Sequence, residues 1–265
     1  MKFYVGLHQV SQAKYFDCCF ISVNRLKNRK SDFAVNTWIM DSGAFSQIYH
    51  FGDYSEPEEA YAEQINRWKR CGNLLAAVSQ DYMCEPFILV RTGRTVEEHQ
   101  AFTIQRYKRL TQLVKSVYIM PVLQGYEPEE YTRHIDMYGD LLKPGMWVGV
   151  GSVCKRNTNP AGIIEVLYAI KKARPDLRLH GFGLKVTALM NGTIRGLLHS
   201  ADSMAWSFAA RREGRNANDW KEAMRYKEKI ENMGQGNWQL SIYDLKYDLK
   251  MAGGKIKKQP LPGQW

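Results

Sequence analysis

The feature that most constrains the fold is a regular alternation of short apolar runs with longer stretches of helical pattern. Apolar runs of about four to eight residues, bounded by polar or turn residues, are typical of buried strands. Helical stretches between consecutive strands favour βα units and a parallel sheet. Eight such runs indicate a closed α/β barrel of the (β/α)8, or TIM-barrel, type, and they lie at 3–7, 19–23, 37–40, 74–79, 117–123, 146–150, 177–184 and 200–206.

Helices are predicted where amphipathic patterns follow N-terminal signals, as at Thr95 with Glu97 and Glu98. The first two βα units are expected to be irregular, because "SQAKYFD" and "NRLKNRKSD" are short polar connections. The predicted helices lie at 57–70, 95–115, 128–142, 160–173 and 186–198. We expect one domain over 1–265, with the barrel ending near residue 216. The predicted C-terminal extension, 217–265, has helices at 218–233 and 241–250 and a loose tail.

The charge of the chain favours a polyanionic partner. Its 265 residues include 37 Lys and Arg against 27 Asp and Glu, for a formal charge of +10. A folded enzyme this basic often meets nucleic acid. The alternative is a basic protein without such a partner.

The cysteines and the N-terminal residues indicate the cellular compartment and whether a metal site is expected. The five cysteines are scattered and form no CxxC pair, which indicates reduced thiols and no zinc site. We expect neither a metal nor a cofactor. The start "MKFYVGLHQV" is too polar for a signal peptide, and no apolar run approaches a membrane span. A cytoplasmic location is therefore expected.

Polar and glycine residues cluster where the apolar runs end. In a barrel these ends surround one mouth, where catalysis occurs. A single strand-end Asp is more often a helix cap and a glycine pair more often a turn, but six such signals on one face exceed what capping explains. The clusters are at 41–43, 80–81, 124–125, 149–152 and 180–183, with Asp202 inside the eighth run.

The residue types at these ends favour glycosidic chemistry. Asp41, Asp81 and Asp202 would face one pocket, and paired carboxylates without a metal suit attack on an anomeric carbon with proton transfer. An Asp beside Gln124 can read a guanine-like edge, because the carboxylate accepts from N–H groups while the amide donates to a carbonyl. Phe45 can stack on a flat ligand. No dinucleotide-binding or phosphate-loop motif fits.

Six short motifs, in order, resemble the tRNA-guanine transglycosylase superfamily. They cover about 37–216 and read "DSGAFS" (41–46), "SQDYMCEP" (79–86), "PVLQGY" (121–126), "VGVGS" (148–152), "HGFGLKV" (180–186) and "ADSMAWSFAARREGRN" (201–216).

The resemblance implies a role for each matched position. Asp202 would be the nucleophile on C1′ of a guanosine nucleotide, forming a covalent glycosyl-enzyme, and Asp41 would be the general acid and base. Asp81 and Gln124 would hydrogen-bond the purine-like base. The remaining substrate-binding positions are Ser42, Phe45, Gly125, Gly149, Val150, Gly151 and Leu184.

Departures from the superfamily indicate a branch. Members that act on tRNA carry a zinc site of three cysteines and a histidine, but no cysteine follows Cys154 here. Small size and high charge resemble the DNA 7-deazaguanine transglycosylase (DpdA) branch of bacteriophages and bacteria. This implies DNA with a flipped guanosine nucleotide and a small 7-deazapurine, preQ0 or a relative, as partners. If the chain is phage-encoded, the location would be the host cytoplasm.

Basic side chains near the predicted mouth are candidates for phosphate contacts, although an ordinary solvated charge is the alternative for each. They are Lys155, Arg156, Arg211, Arg212 and Arg215. His180, in an apolar run, is interpreted as a hydrogen-bonded core residue. Other functions stay open: a tRNA-modifying enzyme, a nucleoside hydrolase or a non-catalytic nucleic-acid-binding barrel.

Overall fold

The computed structural model describes residues 1–233, and the predicted helix at 241–250 and the tail lie outside the described residues. The strands in this part are β1 (Lys2–Leu7), β2 (Cys18–Ser22), β3 (Thr37–Asp41), β4 (Asn73–Val78), β5 (Tyr118–Met120), β6 (Val122–Leu123), β7 (Trp147–Val150), β8 (Arg178–Gly181) and β9 (Ser200–Ser203).

Helices follow most of the strands. They are α1 (Ala44–Phe51), α2 (Glu58–Trp68), α3 (Pro86–Thr92), α4 (Val96–Leu113), α5 (Pro128–Tyr138), α6 (Pro160–Ala173), α7 (Val186–Leu189), α8 (Gly192–Leu197), α9 (Ala205–Arg212) and α10 (Trp220–Asn232). The predicted start of α4 is confirmed, because the Thr95 hydroxyl accepts from the Glu98 N–H and the Glu98 carboxylate accepts from the Thr95 N–H. The first two connections are irregular, as predicted, and contain 3₁₀ turns.

The nine strands are all parallel and form a nearly closed barrel, in the order β5-β4-β3-β2-β1-β9-β8-β7-β6. The predicted (β/α)8 fold is confirmed. One predicted strand, 117–123, is divided at Pro121, which has no N–H to give to a ladder. Its first part pairs with β4 and its second with β7, so this segment joins the two ends of the sheet.

Strand periodicity determines which side chains enter the barrel. In β3, Trp38 packs outward against the helices, whereas Ile39 lies in the interior cluster. Asp41 follows Ile39 by two residues and so shares its face. In β9, Asp202 pairs in register with the interior residue Tyr4. Both carboxylates therefore face the barrel interior, at its carboxyl end.

Other predicted boundaries differ from the structure. The predicted helix 186–198 is two helices, because the Asn191 side chain accepts from the N–H groups of Thr193 and Ile194 and starts a new one. The predicted strand 200–206 ends at Ser203, and α9 follows. Helices α1 and α3 were not predicted.

The C-terminal extension begins with α10, which confirms the predicted helix at 218–233. This helix packs against the outside of β1. The Tyr226 hydroxyl accepts from the Val186 N–H at 3.1 Å, which ties α10 to the start of α7. No helix within residues 1–233 has the length and apolar character needed to cross a membrane.

Candidate active site

A cavity of ≈ 710 Å³ opens at the carboxyl ends of the strands. This size is ordinary for a small-molecule or nucleotide site. Asp41, Asp81 and Asp202 all line it, together with Gln124 and Gly151. The barrel thus brings together carboxylates that are up to 161 residues apart in the chain.

Asp202 is held by one of its two carboxylate oxygens. Oδ1 accepts from the Gly183 N–H at 3.0 Å and lies 3.3 Å from Nε2 of His180. The Asp202 carbonyl accepts from the Leu184 N–H at 3.0 Å. With Oδ1 occupied in this way, Oδ2 is the oxygen left for the cavity.

A buried chain of hydrogen bonds sets the tautomer of His180. The indole N–H of Trp147 can only donate, so Ser200 Oγ accepts from it at 2.8 Å. The Ser200 hydroxyl then donates to His180 Nδ1, at 2.9 Å. His180 carries its proton on Nε2, directed at Asp202. His180 is buried as predicted, yet it also contacts the candidate nucleophile.

Asp41 lies at the end of β3, where its Oδ2 accepts from the Gly43 N–H at 3.2 Å. Burial raises the pKa of the Asp41 carboxyl to about 6, against hydrogen bonds from Ser22 and Gly43, and the charge of Asp202 raises it further. A carboxyl with this pKa can both give and take a proton near neutral pH. Gly43 has φ +72°, and a Cβ there would lie 2.4 Å from Asn24 Nδ2.

Asp81 follows β4 and is 7% exposed. The Gln124 side-chain amide donates to its Oδ2. Burial raises the pKa of the Asp81 carboxyl to about 7, although the Gln124 amide opposes this, and the charges of Asp41 and Glu85 raise it further. The pair offers an acceptor and a donor side by side to a ligand edge.

The backbone and side chain of Gln124 are fixed from several directions. His134 Nδ1 accepts from its N–H at 2.8 Å, and its carbonyl accepts from the Gln100 side chain at 2.7 Å. Burial lowers the pKa of His134 to about 3, so that ring is neutral. Gly151 leaves room for the amide, since a Cβ there would lie 2.2 Å from Gln124 Nε2.

Glu85 and Ser152 belong to the site but were not among the predicted site residues. Ser152 Oγ lies 2.8 Å from Gln124 Oε1 and 3.0 Å from Glu85 Oε2. The Ser152 hydroxyl has one proton to donate, and the Gln124 amide oxygen and the Glu85 carboxylate, which both accept, share it. Burial raises the pKa of the Glu85 carboxyl, against the hydrogen bond from Ser152. Both residues lie in motifs quoted above, 79–86 and 148–152, but the motifs do not reveal a contact that joins positions 67 residues apart.

Apolar side chains form the walls of the cavity. Phe45, 42% exposed, lines the cavity, and its role in stacking stays a prediction. Gly149 lies beside Phe182, because a Cβ there would be 2.3 Å from the Phe182 ring. Apolar wall residues that were not predicted from the sequence include Phe20, Val78, Met83 and Phe182.

Five predicted substrate-binding residues, with Gly149 among them, lie outside the cavity lining. Ser42 is buried and lines a smaller neighbouring pocket. Val150 and Leu184 are in the core between strands and helices. Gly125 packs against Glu130 and Tyr131. The substrate roles of these residues stay predictions, which backbone groups alone could fulfil.

The predicted phosphate contacts are of different kinds. Lys155 lines the cavity, and so does Arg25. Arg156 donates to the Tyr126 carbonyl, with its guanidinium 4.1 Å from the Tyr126 ring centroid. The two arginines at the end of α9, Arg211 and Arg212, are exposed.

Arg215 is paired within the protein. Its guanidinium forms salt bridges with Glu213 and Glu222. The charge it offers to a phosphate is therefore already compensated. In residues 1–233 no group of three or more His, Cys, Asp or Glu side chains is arranged to hold a metal ion.

Fold and site together define an α/β-barrel enzyme with convergent carboxylates at the carboxyl face. The family model DpdA, DeoxyPurine in DNA protein A, matches residues 1–232. The chain belongs to the DpdA family. This membership supports a transglycosylase role of the DNA 7-deazaguanine type and implies DNA as the substrate partner. No curated protein matches the chain significantly.

Proposed function

We propose that the protein exchanges guanine in DNA for a 7-deazapurine, preQ0 or a relative, through a covalent bond between Asp202 and the sugar. The observation that carries this proposal is the convergence of Asp41, Asp81, Asp202 and Gln124 on one cavity of the DpdA-family barrel.

Asp202 supplies the nucleophile. Its Oδ2 attacks C1′ of the guanosine nucleotide, and the electron pair of the C1′–N9 bond leaves with the guanine. The donors on Oδ1, Gly183 and His180, hold the carboxylate in place for the attack. The product is an ester between Asp202 and C1′.

Asp41 acts as the general acid in the first step and as the general base in the second. In its protonated form it gives a proton to the departing guanine, and it is then a carboxylate. It takes the N9 proton of the incoming 7-deazapurine, whose N9 attacks C1′ and displaces Asp202. A pKa of about 6 suits a group that acts as acid and then as base. Two displacements at one carbon give net retention.

Asp81 and Gln124 select the base. The Asp81 carboxylate accepts from the ring and exocyclic N–H groups of a guanine-like edge. The second N–H of the Gln124 amide donates to the carbonyl oxygen of the base. Since guanine and a 7-deazaguanine share this edge, one pair serves both the outgoing and the incoming base.

The cavity requires a flipped nucleotide. Its ≈ 710 Å³ admits a nucleotide but not a duplex, so the guanosine leaves the stack at a cost of a few kcal/mol. Lys155 and Arg25, at the cavity, are candidates to hold the adjoining phosphates.

A base-exchange assay tests the proposal. The protein is incubated with radiolabelled preQ0 and, separately, with duplex DNA, single-stranded DNA or bulk tRNA. Asp202→Asn is the test variant, and Asp176→Asn, which removes a carboxylate paired with Arg174, is the control. We expect label in DNA with the wild type and the control but not with Asp202→Asn. Label in tRNA alone would contradict the DNA assignment.

Exchange that is equally fast in Asp202→Asn would contradict the mechanism. Release of guanine with an abasic site left in the DNA, and no incorporation, would indicate a hydrolase instead.

A further inference from the structure

Two helices at the mouth of the cavity, α1 and α3, carry a group of exposed apolar side chains. Their exposed fractions run from 39% for Tyr49 to 85% for Val90. A group of neighbouring exposed apolar side chains commonly marks an interaction site. We call it the rim patch, and its members are Phe45, Tyr49, Phe51, Phe87 and Val90.

The rim patch is continuous with the candidate active site. Phe45 and Phe51 line the cavity itself. The Tyr49 ring is parallel to the Phe45 ring within 6°, with centroids 5.4 Å apart, and Phe87 lies 6.3 Å from Tyr49. Phe87 meets Tyr49 edge-on, at 65°, so a row of aromatic rings extends from the cavity mouth outward over the surface.

Two cations lie over these ring faces. Lys155 Nζ is 4.6 Å from the Phe45 centroid and 5.9 Å from that of Phe87, and the Arg91 guanidinium is 5.3 Å from that of Tyr49. Within the part of the chain that the structure describes, neither cation forms a salt bridge. Aromatic faces with uncompensated positive charge are typical of surfaces that bind unstacked nucleic-acid bases.

We propose that the rim patch is a stacking surface for the DNA bases next to the flipped guanosine. This inference rests on the proposed function. When the guanosine enters the cavity, its neighbours lose a stacking partner, and the rim patch begins where the flipped nucleotide enters. A second copy of the chain fits less well, because it would bury Lys155 and Arg91 without a counter-charge.

The test measures DNA binding of Tyr49→Ala and Phe87→Ala by fluorescence anisotropy. One labelled single-stranded oligonucleotide carries a guanine between intact neighbours, and a second has abasic sites on both sides of the guanine. Each variant is expected to bind the intact oligonucleotide about 5- to 100-fold more weakly than the wild type. Neither is expected to differ from the wild type on the abasic one.

The salt dependence adds a second readout. The slope of log affinity against log salt should stay at its wild-type value, because no phosphate contact is lost. Tyr15→Ala is the control: Tyr15 is 42% exposed but precedes β2, at the opposite end of the barrel, so binding should be unchanged. Melting temperatures establish that all variants are folded.

Three results would contradict the proposal that the rim patch is a stacking surface. These are unchanged affinity, an equal loss on both oligonucleotides, or sedimentation showing wild-type dimers that Tyr49→Ala dissociates. The exchange assay on the wild type is separate. Binding as expected without exchange would refute only the proposed function, whereas exchange with unaltered variant binding would refute only the stacking surface.

Discussion

Replacing His180 tests whether the buried chain that ends at Asp202 contributes to catalysis. His180→Phe removes the donor to Asp202 Oδ1 but keeps an aromatic ring, which suits a site where the imidazole stacks on Phe20 at 5.6 Å. A hydrogen bond to a charged group contributes about 1.5–3 kcal/mol. The observed 3.3 Å separation favours the lower end, so we expect kcat to fall by about tenfold.

The kinetic constants of several variants distinguish a role of His180 in positioning Asp202 from a general loss of structure. His180 does not line the cavity, so KM for the 7-deazapurine should not change. His180→Gln, whose amide can replace the Nε2–H, should recover most of kcat. Ser200→Ala removes the group that sets the tautomer and should lose about fivefold.

The assay is steady-state base exchange at several concentrations of the 7-deazapurine, with melting temperatures as the control for folding. A folded His180→Phe enzyme with wild-type kcat would refute the reasoning. So would a rise in KM with kcat unchanged.

Three further predictions concern the residues around the Asp81–Gln124 pair. Gly151→Ala places a Cβ where it must displace the Gln124 amide, so KM for the base should rise about tenfold or more at little change in fold, measured by exchange kinetics. Asp81→Asn should raise the free energy of unfolding at pH 8 by about 2–4 kcal/mol. The folded-state pKa of about 7 lies above the ordinary 3.8, so the Asp81 carboxyl destabilises the fold increasingly from pH 4 to pH 7. Denaturant unfolding should therefore show no increase in stability for the variant at pH 4. An increase of equal size at pH 4 and pH 8 would contradict the raised pKa. Glu85→Gln keeps an oxygen that accepts from Ser152 and should retain exchange activity, whereas Glu85→Ala should lose it. Equal activities of the two variants would show that this contact is unimportant.

The barrel could be predicted from the sequence because its strands are buried on both faces and alternate with helical patterns. The convergence of Asp41 and Asp202 followed from their positions at strand ends. Helix α1 was missed because five of its eight side chains, including Phe45 and Phe51, are exposed and give no buried stripe. The division of one strand at Pro121 was also missed, because the run "VYIMPVL" is apolar throughout.

The supporting contacts of the site could not be predicted in the same way. His180 and Ser200 act through hydrogen bonds to groups on other strands, and their sequence setting is that of ordinary core residues. Glu85 and Ser152 meet across two loops. Such contacts depend on strand register, which the chain specifies only when the whole barrel closes.

Trapping the covalent intermediate tests the central claim most directly. The protein is mixed with guanine-containing DNA without an incoming base, denatured and resolved by electrophoresis, and the adduct is mapped by mass spectrometry. The mechanism predicts a protein–DNA adduct at Asp202 that is absent from Asp202→Asn and disappears when a 7-deazapurine is added. An adduct at another residue would contradict the mechanism. So would an adduct that Asp202→Asn forms as readily as the wild type.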